Sequence, residues 1–534
     1  MTASFDLQNH YNCTRMTLRS RFAPVFLLLS LYTAFMISTN HRLTILDDEG
    51  LIITTANIPT LVRLRSFIHG HGQHLHPPLT DSLLHWWLIL THHSFTWLRI
   101  PSILVYVAGL LVLAQCGRLL GNSRTYWAVL LFGTLWPFGY FYARITGWYS
   151  LSFLLIACVT YCYFLLLQHS SNGRWVSFGI AAILLVWSNY FGVTVLLLLL
   201  ADLLIRHRLF VKPHRVQLCL TLSAVLLCFA PLLGDLRMSR HATDPLAAPT
   251  WLAAIEKIGF MLFALLSSVA VAPWFLAWSV PALVATVVLY VLLLAQTGSR
   301  PFALYFFLLI LGLSASHTLD LKRLLFITPW LMLSIALCCS TGTKAARTAV
   351  AAIAVVFTIG WIGIANGRHR ATSNFYEPWR AVATSVAAKT TPRDAIISDS
   401  ISFFFQLDYA LGLNDVESTG TYLGQDAYLR RGLSVFRDGL PDDVDPTSFL
   451  RITTIRGAGI ARDTEAMART MAQLQQSCRL VGAERYVPDP AAGYKQEVNP
   501  RAPSTPFRIE VDDFDCSANT PPYRVQAETS SEPR

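Results

Sequence analysis

Charge is what this chain has least of. Only 14% of its 534 residues are Asp, Glu, Lys or Arg, against roughly 25% in ordinary globular chains. By contrast 53% are hydrophobic and 12% aromatic, and the mean hydropathy is +0.45. Carboxylates are scarcest of all: residues 1–366 hold ten Asp/Glu against 23 Lys/Arg, while residues 367–534 hold 22 against 19. The formal charge of +10 therefore belongs to the first part. So few charges exclude an ordinary soluble fold there and point to a bilayer. With no basic face of a soluble module in view, the positive excess reads as loop charge that sets orientation and meets anionic lipid, and nucleic acid is not an expected partner. No small-residue cleavage site follows the first apolar run, which reads as a retained anchor. The tail has no Gly-rich nucleotide loop and no nucleophile motif.

What is there in quantity is apolar sequence. Runs able to cross a hydrocarbon layer of ~30 Å, or nearly so, recur along residues 1–366. Their spacing predicts about eleven transmembrane helices, near 22–38, 98–117, 124–143, 148–168, 175–188, 190–205, 216–234, 276–296, 302–316, 323–341 and 347–365. The stretches 79–94 and 251–271 are also apolar. Keeping Arg15, Arg19 and Arg21, the cluster Arg206, Arg208, Lys212 and Arg215, and then Lys344 and Arg347 on the cytoplasmic side requires that neither stretch cross. Both are expected to be juxtamembrane helices on the outer face. Residues 367–534 then form an outer domain, where strand-like 395–398 and 449–455 and helix-like 378–388 and 463–478 predict a small α/β fold. Two of the ten cysteines, Cys478 and Cys516, lie in that tail, where an oxidising compartment would permit a disulfide.

Against this background the row Asp47, Asp48, Glu49 stands out, because three carboxylates beside a bilayer are costly. One acid could cap a helix beginning there. Capping needs one and three are present. His69, His71, His74 and His76 follow, spaced either as metal ligands or as loop histidines near a phosphate, with Pro77 and Pro78 opening an apolar helix. Asp81, inside that helix, is read as outside the chemistry. Arg144, Arg237, Arg240, His241, Lys322 and Arg323 are cations on a face that should hold few. Tyr126, Trp127, Trp136 and Tyr140, near span ends, read as an interfacial belt.

These residues, in this order, resemble a known family. The acidic pair after the first span, His76-Pro77-Pro78-Leu79, Leu98-Arg99-Ile100-Pro101-Ser102, Ala143-Arg144 ahead of Trp148-Tyr149-Ser150, Asn189-Tyr190-Phe191-Gly192, Arg323 ahead of Ile327-Thr328-Pro329 and Glu377-Pro378-Trp379-Arg380 look like the GT-C superfamily of polyprenyl-phosphate-sugar glycosyltransferases. The branch most resembled is the RgtA/B/C/D-like, or dolichyl-phosphate-mannose-protein mannosyltransferase-like, one.

The resemblance implies an all-α polytopic GT-C membrane protein (residues 1–366) with a small C-terminal α/β soluble domain (367–534), placed in the inner (plasma) membrane with the tail periplasmic. It implies a hexosyl or pentosyl transferase that moves a sugar from a polyprenyl-phosphate carrier, with inversion, to a glycan, lipid or protein acceptor on the outer face. Asp48 takes the place of the base, with Asp47 as the alternative register and Glu49 beside it. His76, Arg144, Tyr149, Lys322 and Arg323 fall where the donor would bind. His76 stands where related aminoarabinose transferases carry a Lys, and Thr146 where relatives often place a second Asp. No cofactor is called for, and a divalent metal is left open. The competing class is a lipid or polysaccharide transporter, which would keep ionisable groups at mid-membrane; here Asp202 lies near a span end.

Overall fold

The computed structural model describes residues 18–40, 47–56, 58–68, 77–233, 251–267, 276–315, 321–365, 379–399, 401–411, 427–430, 433–437, 439–458, 465–486 and 508–517. Among the described residues the first half is built of helices: α1 (Leu18–Ser38), α2 (Asp47–Ala56), α3 (Thr60–Ile68), α4 (Leu79–Leu90), α5 (Ile100–Leu120) and α6 (Ser123–Leu135). These are followed by α7 (Pro137–Tyr142), α8 (Trp148–Gln168), α9 (Asn172–Ser188), α10 (Gly192–Arg206), α11 (Arg208–Val211) and α12 (Arg215–Phe229). Five further apolar helices are Trp251–Ser267, Leu276–Ala295, Arg300–Ala315, Thr328–Cys339 and Lys344–Ala365.

Each of the eleven expected spans is occupied by helix. Five of the described helices are long and apolar enough to cross a membrane alone: Ile100–Leu120, Trp148–Gln168, Arg215–Leu232, Leu276–Ala295 and Lys344–Ala365. Ala23–Ser38, Arg300–Ser314 and Leu324–Cys339 are shorter apolar helices. The segment 124–143 is broken. Trp136 is extended (φ −75°, ψ 115°) and Pro137 starts α7 without an amide hydrogen, so the α6 ladder cannot run on. The start of α6 is set by Asn122, whose side chain accepts from the backbone N–H of Arg124 and Thr125.

Close packing holds the bundle together, since lipid gives little hydrophobic drive between helices. At Gly109 of α5 a Cβ would come within 2.6 Å of the Phe153 ring of α8. Trp136 and Tyr140, expected in an interfacial belt, are instead 2% and 4% exposed. Trp136 donates through Nε1 to the Leu265 carbonyl at 2.8 Å, so its polar edge is satisfied inside the protein and not at headgroups.

The tail carries a six-stranded sheet of β1 (Ala395–Ser398), β2 (Ala427–Arg430), β3 (Leu433–Arg437), β4 (Arg451–Ala458), β5 (Arg479–Tyr486) and β6 (Arg508–Asp515). The order is β2-β3-β1-β4-β6-β5, with β3, β1 and β4 parallel and the outer pairs antiparallel. β1 is buried along its whole length, as a central parallel strand must be. Helices Trp379–Lys389 and Ile401–Ala410 cover one face through Trp379, Val382, Phe403 and Leu407. Helix Glu465–Ser477 covers the other through Met467 and Leu474. Cys478 and Cys516 form a disulfide that ties the start of β5 to the end of β6. Helix Ile401–Ala410 also packs against α2, so the tail reaches the acidic segment.

Candidate active site

The acidic row opens α2. Asp47 and Asp48 begin the helix, and the described side chains start with Glu49, which is fully buried. Glu49 faces Arg99, the residue that precedes α5 and is itself 5% exposed. Arg99 donates from Nε to Glu49 Oε1 at 2.9 Å and from Nη2 to Oε2 at 2.6 Å. The backbone N–H of Thr146 adds a third bond to Oε1 at 2.8 Å. A buried carboxylate is tolerated when it is paired and fully hydrogen-bonded, and this one is both.

The rest of α2 is held as firmly. Thr55 donates to Asp81 Oδ2 of α4 at 3.3 Å, and His85 Nδ1 bonds the Ala56 carbonyl at 2.8 Å. Ile52, Ile53 and Ala56 pack on Leu84 and Leu88 of α4 and on Leu98. Asp81 is therefore part of the frame of this helix, not a bystander on the next one. Gly147 lies where a Cβ would meet Ile52 Cδ1 at 3.0 Å and Tyr149 at 3.2 Å, so the chain between α7 and α8 approaches α2 closely only without a side chain there.

Arg144 sits at this same corner and is fully buried. Its Nε donates to the Tyr140 carbonyl at 2.8 Å, and Nη1 donates to both the carbonyl and the hydroxyl oxygen of Thr39 at 3.1 Å. The guanidinium carbon lies 3.9 Å from the centre of the Tyr140 ring. Nη2 has no hydrogen-bond partner among the described residues. Arg99 likewise reaches the Asn40 carbonyl, at 3.4 Å. Both guanidiniums thus gather at the carbonyl end of α1, where the helix dipole favours positive charge. Of the two guanidiniums, Arg99 is the one bonded to the Glu49 carboxylate.

Beside Thr146 is a small cavity of about 70 Å³, lined among others by Thr80, Ser102, Thr146 and Gly147. The hydroxyls of Thr80 and Thr146 have no partner among the described residues. A larger cavity exists elsewhere in the bundle and has no part in this corner.

The sequence-named residues are thus partly assembled. Glu49 and Arg144 converge; Tyr149 is buried against Trp148, ring centres 4.5 Å apart, just behind Gly147. Lys322 and Arg323 fall in the short turn Leu321–Ile327, where the described side chains begin at Leu324. His69, His71, His74 and His76, and Arg237, Arg240 and His241, lie outside the described residues. Among the described residues no group of three or more His, Cys, Asp or Glu is placed to hold a metal ion. Arg99 is the partner that sequence reasoning quoted in a motif without giving it a role. Its only signal was a charge directly before an apolar helix that begins Ile100-Pro101.

No protein-family model matches the chain, and none of the curated proteins matches it. Solved structures do. ArnT from Cupriavidus metallidurans in the apo state matches with a TM-score of 0.52 at 11% identity, over 92% of this chain and 98% of that one. ArnT from the same organism bound to undecaprenyl phosphate matches with a TM-score of 0.51, again at 11% identity, over 93% and 98%. The fold is of the GT-C type. At that identity the likeness is one of architecture: a GT-C bundle followed by a tail, shared over nearly the whole of both chains.

Proposed function

We propose that this protein is a multi-pass membrane glycosyltransferase that takes a hexose or pentose from a polyprenyl-phosphate carrier. It transfers the sugar with inversion to a hydroxyl of a glycan, lipid or protein on the outer face of the inner membrane. The observation that carries the reading is the buried Arg144, one arm unpartnered, beside the Glu49–Arg99 pair at the head of the helix that begins with Asp47 and Asp48. That the same fold is found in ArnT bound to undecaprenyl phosphate supports the choice of a lipid phosphate as donor. The division near residues 366 and 367, the periplasmic placement of the tail and the RgtA/B/C/D-like branch belong to the same proposal.

In this reading Asp48, or Asp47 in the alternative register, takes the acceptor proton as the oxygen bonds to the anomeric carbon from the face opposite the phosphate. The bond to the phosphate oxygen breaks with its electron pair, and the lipid monophosphate leaves carrying the new negative charge. Arg144 Nη2, a donor already fixed by three other bonds, meets that charge without reorganisation. Lys322, Arg323 and His76 are the further cations proposed for the phosphate, and Tyr149 backs the wall behind Gly147. Glu49 is assigned a positioning role, because both of its oxygens are already engaged.

Purified full-length protein in lipid nanodiscs, given defined polyprenyl-phosphate sugars and an acceptor, tests this. Asp48→Asn keeps shape and removes basicity, so turnover should fall by about 10²-fold or more while donor binding persists. Asp47→Asn is measured separately. Near wild-type turnover in both variants sinks the assignment of the base. Arg144→Ala should weaken donor use, whereas Arg300→Ala, an exposed side chain bonded to the Leu294 and Ala295 carbonyls, should not.

A further inference from the structure

Helices α8, α9, α10 and α12 leave a groove of about 290 Å³ between them, with Phe210 of α11 in its lining. Its wall is almost wholly apolar: Leu167, Phe178, Ala182, Leu196, Leu222 and their neighbours. The Tyr163 hydroxyl in that wall is engaged, donating to Asp202 at 2.5 Å. Water needs two to four polar partners and finds too few here, while an empty gap of this size would forfeit the dispersion contacts of every lining side chain. The cavity runs along α12 from Leu218 to Phe229. At the helical rise that is about 16 Å, close to half of a ~30 Å hydrocarbon layer. Its length is that of one lipid tail in one leaflet.

Polar chemistry is concentrated at one end. Beyond Phe210 and Leu218 the chain presents Arg208, Lys212 and Arg215, all exposed and with no carboxylate partner among the described residues. The one buried acid nearby, Asp202, is already paired with Arg206 at 3.0 Å and lies 3.7 Å from His207. A tail-length apolar slot, with three exposed cations in the chain next to its Phe210 and Leu218 end and no carboxylate paired to them among the described residues, matches an amphiphile with one negative head.

We propose that this groove holds one acyl chain of an anionic glycerophospholipid of the surrounding bilayer, its phosphate resting on Arg208, Lys212 and Arg215. The site is separate from the Glu49–Arg99 corner, which lies beside the first turn of α8, whereas Tyr163 and Leu167 belong to its last turns. It does not depend on glycosyl transfer.

Native mass spectrometry of the full-length protein in mild detergent tests the idea, with palmitoyl-oleoyl phosphatidylglycerol, the phosphatidylcholine of the same chains and undecaprenyl phosphate as added probes. Phosphatidylglycerol should be retained in preference to both others. At about fivefold in affinity per cation, the triple variant R208A/K212A/R215A should bind it about a hundredfold more weakly. Ala182→Phe, which fills the slot, should displace it as well. The three cations are exposed, so the triple variant reports even where Ala182→Phe misfolds. Equal retention of phosphatidylcholine, preference for undecaprenyl phosphate, or undiminished phosphatidylglycerol binding in the triple variant would each overturn the proposal.

Discussion

Arg99 donates two hydrogen bonds to Glu49 where both side chains are buried. Removing either partner breaks a buried ion pair, a loss of about 3–5 kcal/mol. Glu49→Ala and Arg99→Ala should therefore each destabilise the protein strongly, and the double variant by much less than their sum, as measured by denaturant-unfolding of the purified protein. An additive double variant would show that the two do not act as a pair. The acids themselves were legible in the sequence, since three carboxylates in a row are conspicuous in a carboxylate-poor chain. The pairing of Glu49 was not. Glu49 finds its partner fifty positions away, and the Thr146 amide that completes its shell follows from how the chain turns between α7 and α8. Arg144 was named from its place in a motif, yet its acceptors, the oxygens of Thr39, carry no sequence signal.

At the scale of elements the helices were the readable part, because a span must supply about twenty apolar residues and α8 does so to the residue. The break at Trp136-Pro137 was missed although the proline was visible, because apolar sequence continues on both sides of it. The belt assigned to Trp136 and Tyr140 failed for a related reason: an aromatic near a span end satisfies an interface or a core equally well until its neighbours are known. In the tail the disulfide closes a separation of 38 residues, which by chain entropy is worth about 4 kcal/mol. Cys478→Ser, or reduction, should lower the stability of the isolated unfolding step of the tail by about that much in guanidinium titrations. A smaller effect belongs to Lys389 and Glu484, which pair across helix Trp379–Lys389 and β5. Hydrogen bonds from Lys389 and Tyr486 hold the Glu484 carboxyl below its usual 4.5, and the bond to Glu484 holds Lys389 above its usual 10.5. The carboxylate's contribution is present above the usual value and lost as pH falls through the lowered one. The lysine's is present below its usual value and lost as pH rises through the raised one. Both side chains are about two-fifths exposed, so the pair is worth under about 1 kcal/mol. Lys389→Met should flatten the tail's pH–stability curve only at those two extremes.

For the whole molecule, the proposed topology assigns each loop a side from the arrangement of Lys and Arg. A single cysteine placed at Ser123 or His207 should be labelled only by a membrane-permeant reagent, and one at Ser373 by an impermeant reagent from outside. Labelling of His207→Cys from outside would reverse the assignment. A helical bundle followed by a small α/β tail was legible because apolar runs crowd the first part and charge gathers in the second. That the parts touch was not, for no composition predicts that helix Ile401–Ala410 lies on α2.

That contact joins a segment made early to one made late. On a ribosome feeding the membrane, α2, α4 and Arg99 all emerge long before helix Ile401–Ala410 exists. A chain still under synthesis therefore lacks this contact on its acidic helix, and in the proposed topology the contact forms only when the tail has been exported and folded. Order of manufacture thus becomes a form of timing: in the proposed topology the transferase gains this contact from outside, through a helix made after its whole bundle.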